Sequence, residues 1–162
     1  QIEIKTSEAR AILPKEIALK QAIKQWANVG SLVSALYEND YDLIADSLND
    51  FIVEPHRSQL IPHYSAVKSA MLNAGALGCG ISGSGPSIFS LCKGEEIANK
   101  VAQAIEELYQ KTGIKFDIHV SKINAEGIKI IKSKYWKINN CHFDKRRNHT
   151  LRFFTVFRMI LI

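Results

Sequence analysis

The chain has 162 residues, of which 46% are hydrophobic and 23% charged, a composition typical of a globular protein with one main core. No run of about 18 apolar residues occurs, so we expect no membrane-spanning helix, and no signal peptide is expected at the start. Three cysteines without a CxxC pair predict neither a zinc site nor a disulfide framework, and they indicate a reduced, cytoplasmic protein.

The positive charge is concentrated near the C-terminus. Residues 132–162 contain eight Lys or Arg and one acidic residue, so their net charge is +7 and that of residues 1–131 is −2. A nucleic-acid-binding function would rest on this tail alone, because the rest of the chain is mildly acidic. We therefore expect neither nucleic acid nor a membrane as a partner.

The first half of the chain predicts one short strand and three helices. Residues 1–5 alternate polar and apolar side chains, which indicates a half-buried strand, followed by a turn toward Arg10. Apolar residues then recur at helical spacing over 17–37, and Pro14 suits the first turn of that helix. Asp40 is a candidate N-cap for a second helix. A loop between two prolines holds His56 and Arg57, and a third helix is expected at 64–73, ended by Gly75.

The second half predicts strands around a glycine-rich turn. A strand follows the turn at 87–92, a helix runs from Glu95 to a stop at Gly113, and further strands are expected at 115–121 and 128–131. This order favours an α+β fold in which helices pack over an antiparallel sheet. Residues 132–162 show neither helical nor strand periodicity, so we divide the chain into a domain at 1–131 and a basic tail.

Residues 78–87 carry the strongest chemical signal. They are Gly-Cys-Gly-Ile-Ser-Gly-Ser-Gly-Pro-Ser. Glycine destabilises regular structure by about 0.5–1 kcal/mol per site relative to alanine, so such a cluster is typical of a sharp turn or of backbone that approaches a ligand. Its N–H groups and serine hydroxyls can bind anionic oxygens. No Gly-Lys-Ser/Thr follows, which excludes a Walker A loop, and the strand that follows excludes a Rossmann fingerprint. A plain glycine-rich hairpin remains the alternative.

Two arginines lie in unusual surroundings. Arg10 lies between the first predicted strand and a proline, and Arg57 lies between two prolines. A guanidinium can hold a carboxylate through two parallel hydrogen bonds, which makes the pair a candidate carboxylate clamp. The alternative for each is a solvated surface charge, and Asp50 or Glu54 could pair with Arg57.

Three motifs, in order, resemble the GHMP kinases, the family of galactose, homoserine, mevalonate and phosphomevalonate kinases. Residues 80–87 resemble the third motif of that family. Residues 6–14 (Thr-Ser-Glu-Ala-Arg-Ala-Ile-Leu-Pro) and 53–57 (Val-Glu-Pro-His-Arg) resemble its homoserine branch. The similarity covers residues 1–131, and the mevalonate and galactose kinases share the third motif without the arginine contexts.

The resemblance implies a C-terminal GHMP domain, with an antiparallel sheet packed against helices in a ferredoxin-like arrangement. It implies a kinase that phosphorylates the hydroxyl of L-homoserine with Mg-ATP, by direct in-line transfer, in threonine biosynthesis. Arg10 and Arg57 are similar to the arginines that hold the homoserine carboxylate. The third motif is similar to one that lines the phosphate site, and its matching residues here are Gly80, Ser82, Gly83, Ser84 and Gly85.

The family's ATP loop, of the form Pro-x-x-x-Gly-Leu-Gly-Ser-Ser, does not occur in the chain, whose first residue is Gln1. We therefore expect a fragment without the N-terminal ATP-binding domain, inactive alone, with its catalytic residues in that domain. ATP and Mg²⁺ belong to the whole enzyme, and no metal site is expected here. The expected partners are homoserine, the N-terminal GHMP domain and a second copy in a homodimer.

Two alternatives remain open for the function. The domain could be a non-catalytic amino-acid-binding module that reuses the GHMP fold, or it could belong to another branch such as the mevalonate kinases. The tail at 132–162 lies beyond the usual end of the family. It could be a basic arm, a disordered extension or, as we favour, translated sequence foreign to the natural gene product.

Overall fold

The computed structural model of the chain describes residues 2–123 and 157–161. Residues 1–122 and 155–162 form one compact unit, and the second unit, 123–154, falls almost entirely outside the described part, as does the strand predicted at 128–131. No helix in the described part is long and apolar enough to cross a membrane.

The described part contains six helices, one 3₁₀ turn and four strands. The helices are α1 (Thr6–Ala11), α2 (Leu19–Glu38), α3 (Tyr41–Ser47), α4 (Glu54–Arg57), α5 (Tyr64–Asn73) and α6 (Glu95–Gln110), with a 3₁₀ turn at Ser58–Leu60. The strands are β1 (Gly78–Ile81), β2 (Ile88–Leu91), β3 (Phe116–Val120) and β4 (Phe157–Leu161).

Local signals in the sequence define the ends of three helices. Asp40 precedes α3, and its Oδ1 accepts a hydrogen bond from the backbone N–H of Leu43 at 3.0 Å, as an N-cap does. α5 spans the predicted 64–73, and Gly75 follows with a φ of +101°, which favours glycine. α6 begins after Gly94 with two glutamates in its first turn, where negative charge is favourable. These three predictions are confirmed.

The N-terminal segment differs from the prediction. No strand forms at residues 2–5, although Ile2 and Ile4 pack against the core and their neighbours are exposed. The alternating pattern therefore gives the burial correctly, but this segment pairs with no strand of the described part. α1 replaces the predicted turn, and α2 begins at Leu19 rather than near Pro14.

The four described strands form one sheet in the order β1-β2-β4-β3. β1 and β2 are antiparallel, with Gly78 opposite Leu91 and Ile81 opposite Ile88, as expected for the hairpin around the glycine turn. β4 instead runs parallel to both β2 and β3. The prediction that the tail contains no strand is wrong at β4. A run without clean alternation is typical of a strand with neighbours on both sides, and β4 is one. The origin of the tail stays a prediction.

The core lies between the sheet and two helices, α5 and α6, which pack side by side. Their buried residues repeat at helical spacing, as in Val67 and Met71 on α5 and in Val101 and Ile105 on α6. The ring of Tyr109 at the end of α6 also packs against the first residue of β3, with ring centroids 5.2 Å apart. The buried cluster comprises Ile61, Tyr64, Val67, Met71, Cys79, Ile88, Ala98, Val101, Ile105 and Tyr109.

Truncation of Ile105 tests this core. Ile105→Ala is expected to lower the free energy of unfolding by about 2–5 kcal/mol, because the fully buried side chain leaves a cavity. Urea unfolding followed by circular dichroism measures the change. Leu72→Ala is the matched control, because Leu72 is on α5 but is 42% exposed, and its loss should stay below about 1 kcal/mol. Equal losses in the two variants would contradict this assignment of the core.

Candidate functional site

The turn between β1 and β2, at residues 82–85, has one packed side and one open side. The backbone N–H of Ser82 donates to the carbonyl of Ser87 at 2.8 Å, and that of Gly85 donates to the carbonyl of Ser82 at 3.2 Å. Gly83 and Gly85 have φ of +64° and +82°, which side chains rarely adopt. A Cβ on Gly85 would lie 3.1 Å from a methyl group of Ile61, whereas one on Gly83 would meet no atom within 4 Å.

The five residues predicted to line a phosphate site therefore have different surroundings. Ser82 and Gly83 are exposed, and Ser84 and Gly85 are half-buried. Gly80 is buried within β1, where a Cβ would lie 3.0 Å from the ring of Phe89, so packing already accounts for this glycine. The exposed part of the turn is thus limited to its first half.

Arg57 ends α4, and its guanidinium joins two distant segments of the chain. Its Nε donates to the backbone carbonyl of Ala9 at 3.2 Å, and its Nη1 donates to the carbonyl of Gly83 at 2.7 Å. Its Nη2 group donates to none of the described residues. Three motifs that are far apart in the sequence therefore meet at this one side chain.

Two acidic residues hold α4, and with it Arg57, in place. Asp50 accepts hydrogen bonds from the backbone N–H groups of Ile52 and Val53, each at 2.8 Å, and from that of Glu54 at 3.2 Å. The Glu54 carboxylate forms a largely buried ion pair with Lys68 of α5. The suggested pairing of Asp50 or Glu54 with Arg57 is therefore wrong, because each carboxylate is engaged elsewhere.

Arg10 lies on α1 and is exposed. Its side chain makes no hydrogen bond or ion pair with the described residues. The carbonyl that Arg57 binds belongs to the peptide between Ala9 and Arg10. The structure thus brings Arg57 and Gly83 into contact with the backbone beside Arg10, and it leaves the Arg10 side chain available to a ligand.

A cavity of about 230 Å³ opens beside the glycine turn. Its walls come from α2, the segment after α3, the start of α4, and β1. Gly80 and Gly83 line it, whereas Arg10 and Arg57 do not. Two of the predicted residues therefore face this cavity, and the two arginines lie outside it.

The polar wall of the cavity was not predicted from the sequence. Gln25 accepts a hydrogen bond from the backbone N–H of Phe51 at 3.0 Å, and Asn28 donates to the carbonyl of Asn49 at 2.8 Å, so α2 is fixed to the segment after α3. Asp50 and Glu54 line the same wall. The only signal in the sequence is that polar residues recur on one face of a helix, which by itself indicates solvent.

Burial raises the pKa of two groups in this region, Cys79 and Tyr64. Burial raises the pKa of the Cys79 thiol from 9.0 to about 11, an effect that Lys68 opposes and Glu54 reinforces. Burial and then the Glu54 carboxylate raise the pKa of Tyr64. Both groups are neutral near pH 7, and a neutral thiol is a poor nucleophile. The described residues contain no group of three or more His, Cys, Asp or Glu that could hold a metal ion.

Residues 32–111 match the family described as "GHMP kinases C terminal". The crystal structure of homoserine kinase from Cytophaga hutchinsonii matches the fold with a TM-score of 0.67 and 54% identity, over 69% of this chain and 36% of that chain. This chain carries a GHMP kinase C-terminal domain. The family match at residues 32–111 runs from the middle of α2 to the end of α6, so it includes Arg57 and the glycine turn. The resemblance based on three motifs and the α+β fold are both confirmed.

Curated relatives match a longer stretch of the chain. The homoserine kinase of Chlorobium phaeobacteroides (strain DSM 266) is 48% identical over 131 residues, which is 80% of this chain and 41% of that protein. The homoserine kinase of Chlorobaculum tepidum is 45% identical over 133 residues, 81% of this chain and 41% of that protein. The GHMP domain and its flanks therefore span about two fifths of the length of these relatives.

Arg57 and Arg10 should differ in their effect on stability. Arg57→Ala is expected to lower the free energy of unfolding by about 1–3 kcal/mol, because it leaves the carbonyls of Ala9 and Gly83 without their donor. Arg10→Ala is the matched control and should change it by less than about 0.5 kcal/mol, since the side chain is exposed. Urea unfolding measures both. A loss for Arg10→Ala as large as that for Arg57→Ala would refute this division of roles.

The buried thiol predicts a loss of stability at high pH. The unfolded chain loses the Cys79 proton near the ordinary pKa of 9.0, whereas the folded protein keeps it up to about 11, so the free energy of unfolding falls as the pH rises between these values. The part due to Cys79 should be about 1 kcal/mol between pH 8 and pH 10. Urea unfolding at the two pH values, compared with Cys79→Ala, isolates it. The same pH dependence in both proteins would argue against a titrating Cys79.

Proposed function

We propose that this chain is the C-terminal part of a homoserine kinase, which transfers the γ-phosphoryl group of ATP to the hydroxyl of L-homoserine. The observation that carries the proposal is the contact of Arg57 with Ala9 and Gly83, which joins both arginine motifs and the glycine turn. The relatives that bear the name homoserine kinase, at 45% and 48% identity, support the same interpretation.

In this proposal, Arg10 and Arg57 hold the carboxylate of homoserine. Arg57 has its Nη2 group available, and Arg10 is exposed directly after the carbonyl that Arg57 binds. The paired N–H donors of a guanidinium fit the two oxygens of a carboxylate. The hydrogen bonds of Arg57 to Ala9 and Gly83 orient its guanidinium before the substrate arrives, which lowers the entropy lost on binding.

The glycine turn lines the phosphate site in this proposal. The backbone N–H groups of Gly83 and Ser84 make no hydrogen bond within the described residues, and the space beside Gly83 is open. Exposed N–H groups in a turn, together with the hydroxyl of Ser82, suit the anionic oxygens of a phosphoryl group. A negative phosphoryl group near the guanidinium of Arg57 is electrostatically favourable as well.

ATP and Mg²⁺ serve the whole enzyme in this proposal. Phosphoryl transfer depends on positioning the γ-phosphate and neutralising its charge, and the metal ion supplies much of that neutralisation. The family's ATP loop occurs nowhere in the 162 residues. We therefore assign the phosphate cradle and the metal ligands to an N-terminal GHMP domain, and we expect no turnover from this chain alone. A role in threonine biosynthesis and a cytoplasmic location complete the proposal.

Complementation with an N-terminal domain tests the function. This chain is mixed with the separately produced N-terminal domain of a relative named homoserine kinase, and ADP release is followed with and without homoserine. We expect turnover only when both polypeptides, ATP, Mg²⁺ and homoserine are present. Arg10→Ala should raise the KM for homoserine about 10- to 100-fold, because it removes charge-assisted hydrogen bonds to the substrate.

The control for this experiment is Lys15→Ala, which removes another exposed positive charge, five residues after Arg10 in the sequence, and should leave the KM unchanged. A folded, associated mixture without homoserine-dependent turnover would reject the kinase proposal. Binding of homoserine without turnover would instead favour the amino-acid-binding module, and turnover of mevalonate would favour another GHMP branch.

A further inference from the structure

The long helix α2 exposes an apolar face and turns polar side chains inward, together with the buried Ala22 and Ala35. Five large apolar residues on one face are 52% to 86% exposed, and they recur at spacings of three, four or seven: Leu19, Ile23, Trp26, Val33 and Tyr37. We call this set the α2 stripe. The opposite face holds the half-buried Gln25 and Asn28, which bind the segment after α3. An amphipathic helix normally buries its apolar face, so the α2 stripe has the composition of a face that packs against another element.

Gly30 lies within the α2 stripe, one turn after Trp26. A Cβ at this position would meet no atom within 4 Å, so nothing in the described part explains the glycine. Glycine inside a helix costs about 1 kcal/mol relative to alanine, and its presence usually has a packing reason. A missing side chain at the middle of an apolar stripe allows a second helix to approach closely at that point.

The charges that flank the α2 stripe are arranged for an antiparallel partner of the same sequence. Lys20 and Glu38 lie on the same flank of the helix, and each is nine residues from Val29, next to Gly30. Two helices that cross antiparallel at Val29 turn this flank toward the same flank of the partner. Lys20 of one copy then lies opposite the partner's Glu38, twice by symmetry. A parallel pair would instead turn this flank toward the opposite flank of the partner, so that no Lys20 would face a Glu38.

We propose that the α2 stripe is the surface through which two copies of this chain associate, with their α2 helices antiparallel and crossing near Gly30. Trp26 and Val33 are at nearly equal distances on either side of the crossing, so each Trp26 packs against the partner's Val33. Aromatic anchors near the centre of an interface contribute most of its binding energy. The ion pairs at the ends fix the direction of pairing more than its strength.

Sedimentation equilibrium of the complete 162-residue chain tests the proposal. We expect a reversible dimer whose dissociation constant rises about 100-fold or more in Trp26→Glu and in Val33→Glu. Both positions are more than half exposed, so the variants should keep the fold, which circular dichroism checks. Leu72→Glu is the matched control, because it changes an exposed apolar residue on α5, and its dimer should be unchanged.

Charge reversal tests the direction of pairing. Lys20→Glu and Glu38→Lys should each weaken self-association about tenfold, because each places like charges together at both ends of the stripe. An equimolar mixture of the two variants should form a heterodimer as tight as the original dimer, because opposite charges then meet again. A mixture no tighter than its components would refute the antiparallel register.

Other outcomes would assign the surface differently. A chain that stays monomeric at about 100 μM, or a dimer insensitive to Trp26→Glu and Val33→Glu, would overturn the proposal. A monomer whose α2 amides become protected from hydrogen exchange only when the N-terminal domain of a relative is added would assign the α2 stripe to that domain. None of these results depends on whether the mixture phosphorylates homoserine.

Discussion

Two hydrogen bonds from one guanidinium, to the carbonyls of Ala9 and Gly83, join segments that lie 48 and 26 residues away from Arg57 in the sequence. Through these two bonds one side chain connects the glycine turn to α1, and with them the candidate residues of both segments. An arginine suits the task because it remains charged and its N–H groups have a fixed planar arrangement. Lysine could not bind two carbonyls in this geometry with one rigid group.

The position of Arg57 depends in turn on charges that are anchored in the core. Asp50 accepts hydrogen bonds from two backbone N–H groups just before α4 and from that of Glu54, its first residue. Glu54 is in turn paired with Lys68 on α5, whose inner face is part of the buried cluster. Removing one partner of a largely buried ion pair leaves an uncompensated charge, which costs more than the pair contributes. The site is thus connected to the core through α5, α4 and Arg57. Loss of the Glu54–Lys68 ion pair should therefore displace the glycine turn indirectly, by moving α4 and Arg57.

The parts of the fold that follow from local sequence were predicted, and those that depend on distant contacts were not. α5 and its stop at Gly75 follow from apolar spacing and a glycine, both within one segment. The three motifs identified the family for the same reason. The actual partners of Asp50 and Glu54 were not predicted, because nothing near them in the sequence marks Lys68 as the partner of Glu54. β4 was missed because a strand between two others shows no alternation.

α2 shows most clearly where a sequence pattern stops being informative. Its apolar residues were predicted to recur at helical spacing, and an apolar stripe usually faces the core. The spacing was predicted correctly, but whether the apolar face points toward the core or toward solvent could not be predicted from it. Periodicity defines which residues share a face and not what that face contacts. Two amide side chains decide the direction: Gln25 and Asn28 bind backbone groups of the segment after α3, and these bonds turn the α2 stripe outward. The polar side chains of α2 thus already have partners within the chain, whereas its apolar face has none in the described part. This difference favours a binding partner for the apolar face.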